Sequence, residues 1–224
     1  MAALYDCSVP SELLTGMRLA RAAIGRGALV VIPTDTVYGI AADAFNPAAV
    51  QALLDAKGRT RSSPPPVLVP GVATLDALAE TVSQPVRDLV DAFWPGGLTI
   101  IVPARSSLAW DLGDTRGTVA LRQPSDPIAL ELLTEVGPLA VSSANLTGEP
   151  AATTASLARE SLGDSVDVYL DGGATETITS TIVDASTFGD DGAIRIVRHG
   201  AVSEEQLRSI LGDVLSVLDE RLGG

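Results

Sequence analysis

Ala28-Leu29-Val30-Val31-Ile32-Pro33-Thr34-Asp35-Thr36-Val37-Tyr38-Gly39 passes from an apolar run to a polar turn in a single step. Ala28 to Ile32 reads as a buried strand, and Pro33, which has no amide proton for a sheet ladder, stops it. The side chains of Thr34, Asp35 and Thr36 therefore emerge at a strand's end. Just upstream, Leu13, Leu14, Met17, Leu19, Ala20, Ala23 and Ile24 recur at helical spacing over Ser11 to Arg26, and Gly27 suits the residue after a helix. A helix that feeds a fully apolar strand is the pattern of an α/β sheet covered by helices.

The same alternation continues along the chain. Helices are expected over Pro47 to Ala56, Thr74 to Val82, Pro85 to Phe93, Pro127 to Val136, Thr154 to Leu162 and Ser203 to Arg221. The last has Ser203 as N-cap, Gln206 three residues on, and a stripe of Leu207, Ile210, Leu211, Val214, Leu215 and Leu218. Strands are expected over Val67 to Val69, Leu98 to Val102, Thr118 to Arg122, Pro138 to Ser142, Val166 to Leu170, Ser180 to Asp184 and Ala193 to Arg198. The three prolines Pro64 to Pro66 stiffen a loop over Thr60 to Pro66. No internal repeat or low-complexity linker interrupts the pattern, so residues 1–224 read as one mixed-sheet α/β domain.

Composition narrows the chemistry. Of 224 residues 46% are hydrophobic and only 4% aromatic, which suits a sizeable core. The single Cys7 forms no internal disulfide or multi-cysteine zinc site, and the single His199 builds no histidine metal centre. A net charge of −13 with no basic stripe disfavours tight, sequence-independent binding of RNA. No run approaches the ~20 apolar residues of a membrane span, and Met1 to Ser11 lacks the features of a secretion signal, so a cytoplasmic protein is expected.

Neither a Walker A sequence nor a Gly-x-Gly-x-x-Gly fingerprint occurs. Hydroxyl-rich turns at strand ends are the alternative: Thr34-Asp35-Thr36, Ser142-Ser143-Ala144-Asn145 and Thr179-Ser180-Thr181. Ligands of open α/β sheets bind at such ends. Arg122 and Arg198 each terminate an apolar strand, where a guanidinium needs an anion, either a ligand or a protein acid. Lys57 is the only lysine among 15 basic side chains and stands with Arg59 just past a helix. A compact, mobile ammonium suits a phosphate differently from a flat fork, which makes Lys57 a phosphate-site candidate.

Pro33 to Gly39 resembles the Pro-Thr-(Asp/Glu)-Thr-Val-Tyr-Gly signature of the YrdC-like threonylcarbamoyl-AMP synthases. Lys57-Gly58-Arg59, Trp94 to Thr99, Val119 to Pro124, Ser143-Ala144-Asn145, Ser180-Thr181-Ile182 and Arg198-His199-Gly200 resemble its later motifs in the same order, over about residues 12 to 211. The resemblance implies a single YrdC-like domain in the short form, with a twisted sheet and a large concave, positively charged groove. It implies a nucleotidyltransferase that joins L-threonine, bicarbonate and ATP, with Mg2+, into threonylcarbamoyl-AMP and pyrophosphate. That product serves threonylcarbamoyladenosine modification of tRNA at position 37, through a separate threonylcarbamoyltransferase.

By the same resemblance Thr36, Arg122, Ser180 and the backbone of Val141 bind threonine. Arg59, Ser63, Thr118, Ser143, Asn145 and Arg198 bind ATP, and Lys57 with Arg59 serves catalysis. The chain departs from the family pattern at Ser62 to Pro65, at Leu68 where a histidine is common, at Ala151, and at His199 in place of proline. No protein nucleophile is required: a carbamate oxygen attacks the α-phosphorus, and cations neutralise charge on the leaving group. Thr36 or Ser180 reads either the substrate's hydroxyl or its carboxylate. Asp35 either orients Lys57 or water near magnesium, or caps its turn; Tyr38 either walls the pocket or packs in the core. The competing readings are a noncatalytic RNA-binding module and a carbamoyl-transfer relative of the hydrogenase-maturation type.

Overall fold

The computed structural model describes residues 3–216. Strands are β1 (Ala3–Asp6), β2 (Val30–Ile32), β3 (Gly39–Asp43), β4 (Val67–Leu68), β5 (Leu98–Pro103), β6 (Thr118–Arg122), β7 (Leu139–Ser143), β8 (Val168–Asp171), β9 (Thr181–Asp184), β10 (Ile194–Arg198) and β11 (Leu215–Ser216). Helices are α1 (Pro10–Gly25), α2 (Pro47–Ala56), α3 (Val72–Leu78), α4 (Gln84–Phe93), α5 (Pro127–Val136), α6 (Ala155–Leu162), α7 (Phe188–Asp191) and α8 (Glu204–Leu211). The described strands form one sheet in the order β1-β8-β2-β3-β7-β4-β6-β5-β9-β10-β11. It is mixed: β1, β8 and β2 run parallel, β3 and β7 alternate antiparallel, β4 pairs β6 in parallel, and β5 pairs β9 in parallel.

Burial on both faces explains why β2 reads as a continuous apolar run. Val30 and Ile32 pack with Met17, Ala20 and Ile24 of α1 and Leu132 of α5, while Val31 points to the other face, toward Leu53 of α2 and Ala158 of α6. A third cluster packs α3, α4 and α8 against β5 and β6. Helix starts follow local chemistry. Asn46 and Asp126 each accept two backbone amides at the N-termini of α2 and α5, and Ser203 with Gln206 completes a capping box on α8.

The helix expected over Thr74 to Val82 spans Val72–Leu78 instead, ending where Ala79 turns extended and bridges to Ala104. β1 and β3 were not read from the sequence, because Ala3–Asp6 and Gly39–Asp43 are short and carry no alternation. Helix α8 ends at Leu211 instead of running to Arg221: Gly212 takes φ 54 and ψ −127, leaving the helix. A 3-10 turn follows, and Leu215 enters β11, parallel to β10. Leu218 and Arg221 lie outside the described residues.

Candidate active site

The connection 33–38 joins the β2–β3 hairpin, in which Ile32 faces Gly39. Gly39 in turn faces Ser143 of β7, so Pro33–Tyr38 and the turn after β7 meet at one edge of the sheet face. A Cβ on Gly39 would lie 2.5 Å from Val141 Cγ1, so any side chain here would force Val141, a cleft residue, to shift. Beyond β4, Arg122 closes β6; beyond β5, Ser180 precedes β9 and Arg198 ends β10. These ends enclose a cleft of about 220 Å³.

Thr36, Arg59, Arg122, Val141, Ser143, Ser180 and Arg198 all border it, and Leu68 does too. Seven of the residues proposed from the sequence are thus brought together from six separate segments. Arg122 is 6% exposed. Its Nε donates to the Gly96 carbonyl at 2.8 Å and its Nη1 to Thr36 Oγ1 at 2.9 Å. Nη2 sits 2.8 Å from Asp35 Oδ2 as an ion pair, yet has no aligned hydrogen bond of its own. Burial lowers the Arg122 pKa, and the Asp35 carboxylate opposes that fall.

The other two arginines lean on neutral oxygens. Arg198 donates to the Ser180 carbonyl from Nε at 3.1 Å and Nη2 at 2.7 Å, and from Nη2 to Ser180 Oγ at 3.0 Å. Arg59 donates from Nη1 to Ser142 Oγ at 2.9 Å and from Nε to Thr147 Oγ1 at 3.3 Å. Burial first, then the positive charges of Arg122 and Arg59, push the Arg198 pKa down. Three cations share one cleft whose lining has no carboxylate, and an anionic ligand relieves their mutual repulsion.

Lys57 does not line the cleft. It is 1% exposed, and its ammonium donates to the carbonyl oxygens of Ser143 and Asn145, the latter at 2.6 Å. Burial, and then the charge of Arg59, lowers its pKa to about 8. Asn145 also faces inward: Nδ2 donates to the carbonyls of Leu146 and Glu149, while buried Oδ1 has no hydrogen-bond partner. Thr118 lines an adjoining apolar cleft that shares Pro64, Pro66 and Ile182 with the first. Ser63 is exposed and Ala151 half-buried; neither borders the cleft.

Asp35 makes no hydrogen bond to Lys57, whose ammonium goes to backbone carbonyls. It pairs with Arg122 and accepts the Ser125 amide at 2.9 Å. Tyr38 both borders the cleft and is tied down, donating to the Gly173 carbonyl at 2.6 Å; burial, with the Asp171 carboxylate, raises its pKa. Trp94 is structural, its indole bonded to the Leu98 carbonyl across a turn with a cis Trp94–Pro95 bond. Thr34, named only as part of its hydroxyl-rich turn, and Thr99, given no role at all, also border the cleft. Thr99 stood at the end of the Trp94 to Thr99 motif, and that position was its only signal.

Residues 22–200 match the Sua5/YciO/YrdC family, described as telomere recombination. A Mycobacterium tuberculosis protein provisionally assigned as a threonylcarbamoyl-AMP synthase is 50% identical over 95% of this chain and 96% of its own length. The threonylcarbamoyl-AMP synthase of Bacillus subtilis is 34% identical over 87% of this chain, which spans 56% of that longer protein. The crystal structure of Pyrococcus abyssi Sua5 complexed with L-threonine superposes with a TM-score of 0.85 at 28% identity, covering 96% of this chain and 62% of that one. With the family match spanning residues 22–200 and a relative 50% identical over 95% of the chain, this chain belongs to the Sua5/YciO/YrdC family.

Proposed function

We propose that this chain is an L-threonylcarbamoyladenylate synthase, a nucleotidyltransferase that makes threonylcarbamoyl-AMP and pyrophosphate for tRNA modification. The observation that carries the reading is the convergence of Arg59, Arg122 and Arg198 with small hydroxyls in one cleft free of carboxylates, in a chain half identical to a relative assigned to that activity. The arrangement suits a reaction that needs two anions brought together and no protein nucleophile.

On this reading Arg122 supplies the positive charge for the threonine carboxylate, while Thr36, Ser180 and the backbone of Val141 complete the amino-acid site. The threonine nitrogen, carboxylated from bicarbonate, presents a carbamate oxygen to the α-phosphorus of ATP, and the bond to the pyrophosphate oxygen breaks. Arg59 and Arg198 neutralise charge as it moves onto the leaving group, and Ser143 donates to the nucleotide. Thr118 and Ser63 meet the nucleotide where it extends past the proline loop. Lys57 acts through the turn it grips, fixing Ser143 and Asn145 from beneath. Among the described residues no cluster of acids or histidines could hold a metal, and magnesium would arrive with the triphosphate. Bound there it would shield the charge of the phosphates beside Arg59 and Arg198.

No described helix is long and apolar enough to cross a membrane, in keeping with a place in the cytoplasm beside ATP and tRNA. The unstable product passes to a separate threonylcarbamoyltransferase. Incubation with ATP, magnesium, bicarbonate and each amino acid in turn tests the activity: pyrophosphate released with threonine and not with valine is expected, and release indifferent to the amino acid would refute it.

A further inference from the structure

The hydroxyl protons around the cleft are not free to choose their direction. Thr34 Oγ1 lies 2.7 Å from the Val37 carbonyl, an acceptor, so its single proton goes there. Its two lone pairs then face the Thr36 amide at 3.2 Å and Thr36 Oγ1 at 3.1 Å. Thr36 is therefore the donor to Thr34. Arg122 Nη1 takes one of Thr36's lone pairs, and what remains toward the cleft is a single acceptor.

Ser180 has the opposite polarity. Arg198 Nη2 fills one of its lone pairs. Thr99 Oγ1, 2.9 Å away and 1% exposed, bonds to no other group. If Ser180 donated to Thr99, the nearly buried Thr99 proton would have no acceptor in the protein, which folded proteins avoid. Thr99 therefore donates to Ser180, and the Ser180 proton is left for the cleft.

We propose that Thr34 and Thr99 are specificity-determining positioning residues: they set Thr36 as an acceptor and Ser180 as a donor, so the amino acid must offer a hydrogen to the first and a bare oxygen to the second. Of these two hydroxyls only Ser180 can meet the carboxylate, and the substrate's own hydroxyl fits at Thr36. The inference rests on the synthase reading and deepens it. It also decides between the two roles that sequence left open for Thr36 and Ser180.

The test is steady-state kinetics of Thr99→Val, Thr99→Ser, Thr34→Val and Thr34→Ser with threonine, valine and ATP, with melting temperatures recorded for each. Thr99→Val is expected to raise the threonine KM about tenfold with the ATP KM within about twofold, and Thr99→Ser to restore it. Thr34→Val is expected to cut the threonine-over-valine ratio of kcat/KM at least about fivefold, and Thr34→Ser to keep it. An unchanged threonine KM in Thr99→Val, an equal rise for ATP, or an unchanged ratio in Thr34→Val each overturns the proposal. Should a valine variant lose its melting transition, alanine at that position carries the same expectation. Wild-type protein without threonine-dependent pyrophosphate would sink the synthase reading itself, whereas active wild type with an unmoved Thr99→Val sinks only the assigned polarity.

Discussion

Arg122 meets Gly96, Thr36 and Asp35 with its three nitrogens, and only the Asp35 contact is ionic. Asp35→Asn leaves a buried guanidinium without its counter-charge, a loss of about 3–5 kcal/mol for a buried pair. A bound carboxylate replaces part of that charge. The variant should therefore melt below wild type and gain more than wild type from saturating threonine; thermal denaturation with and without the ligand reads both. Lys57 gives a pH signature. Its folded pKa is about 8 against an ordinary 10.5, so between those values the unfolded chain holds a proton that the folded chain has shed. Stability from this group therefore rises with pH across that window and is flat below it. Chemical denaturation of wild type and Lys57→Met at pH 7 and pH 10 should show wild type gaining on the variant; a constant gap would contradict it. The sequence made Lys57 conspicuous as the only lysine, and a strand end made Arg122 conspicuous. It did not show which way either points, because their partners lie some 86 residues away in the chain.

At the scale of elements, close approach decides as much as propensity. Gly200, after β10, sits against the β9 entry: an added Cβ would lie 2.6 Å from both the Ser180 carbonyl carbon and the Thr181 nitrogen, which are backbone atoms that do not swing aside. Gly200→Ala should push Ser180 and Arg198 apart, lowering kcat/KM for threonine at least about tenfold with secondary structure retained by circular dichroism. Activity within twofold of wild type would show that the turn absorbs the methyl. By contrast Ser203→Ala, at the start of α8, removes a capping box that does not border the cleft and should cost about 1 kcal/mol in denaturation with kinetics unchanged. Elements with caps or long apolar periods were legible, and α2, α5 and β6 have the bounds the sequence implied. β3 was not, because Gly-Ile-Ala-Ala-Asp becomes a strand only through its neighbours β2 and β7. The end of α8 was missed because the apolar residues past Gly212 continue the helical spacing while Leu215 serves a parallel strand.

For the molecule as a whole, the order of the sheet puts positive charge where the sequence total says there is none. A formal charge of −13 repels RNA at long range, and surface arginines such as Arg61, Arg87 and Arg208 are paired with acids. Arg59 and Arg198 instead make hydrogen bonds to neutral oxygens and keep their charge for the cleft. Such a field suits a small, highly charged ligand that can enter the cleft. It suits a polyanion poorly, since few phosphates of a long backbone can reach those cations while the rest face acidic surface. An RNA-binding module needs several phosphate contacts, and its affinity falls steeply with salt. The synthase needs none. Pyrophosphate release should therefore be unchanged, within about twofold, when tRNA is left out, and gel shifts should find no complex with tRNA at micromolar protein and about 150 mM salt, where nonspecific binders have dissociation constants of about 10⁻⁴–10⁻⁶ M. A tight complex that weakens steeply with added salt, together with turnover that depends on tRNA, would show that the cleft's charge extends into a nucleic-acid surface after all.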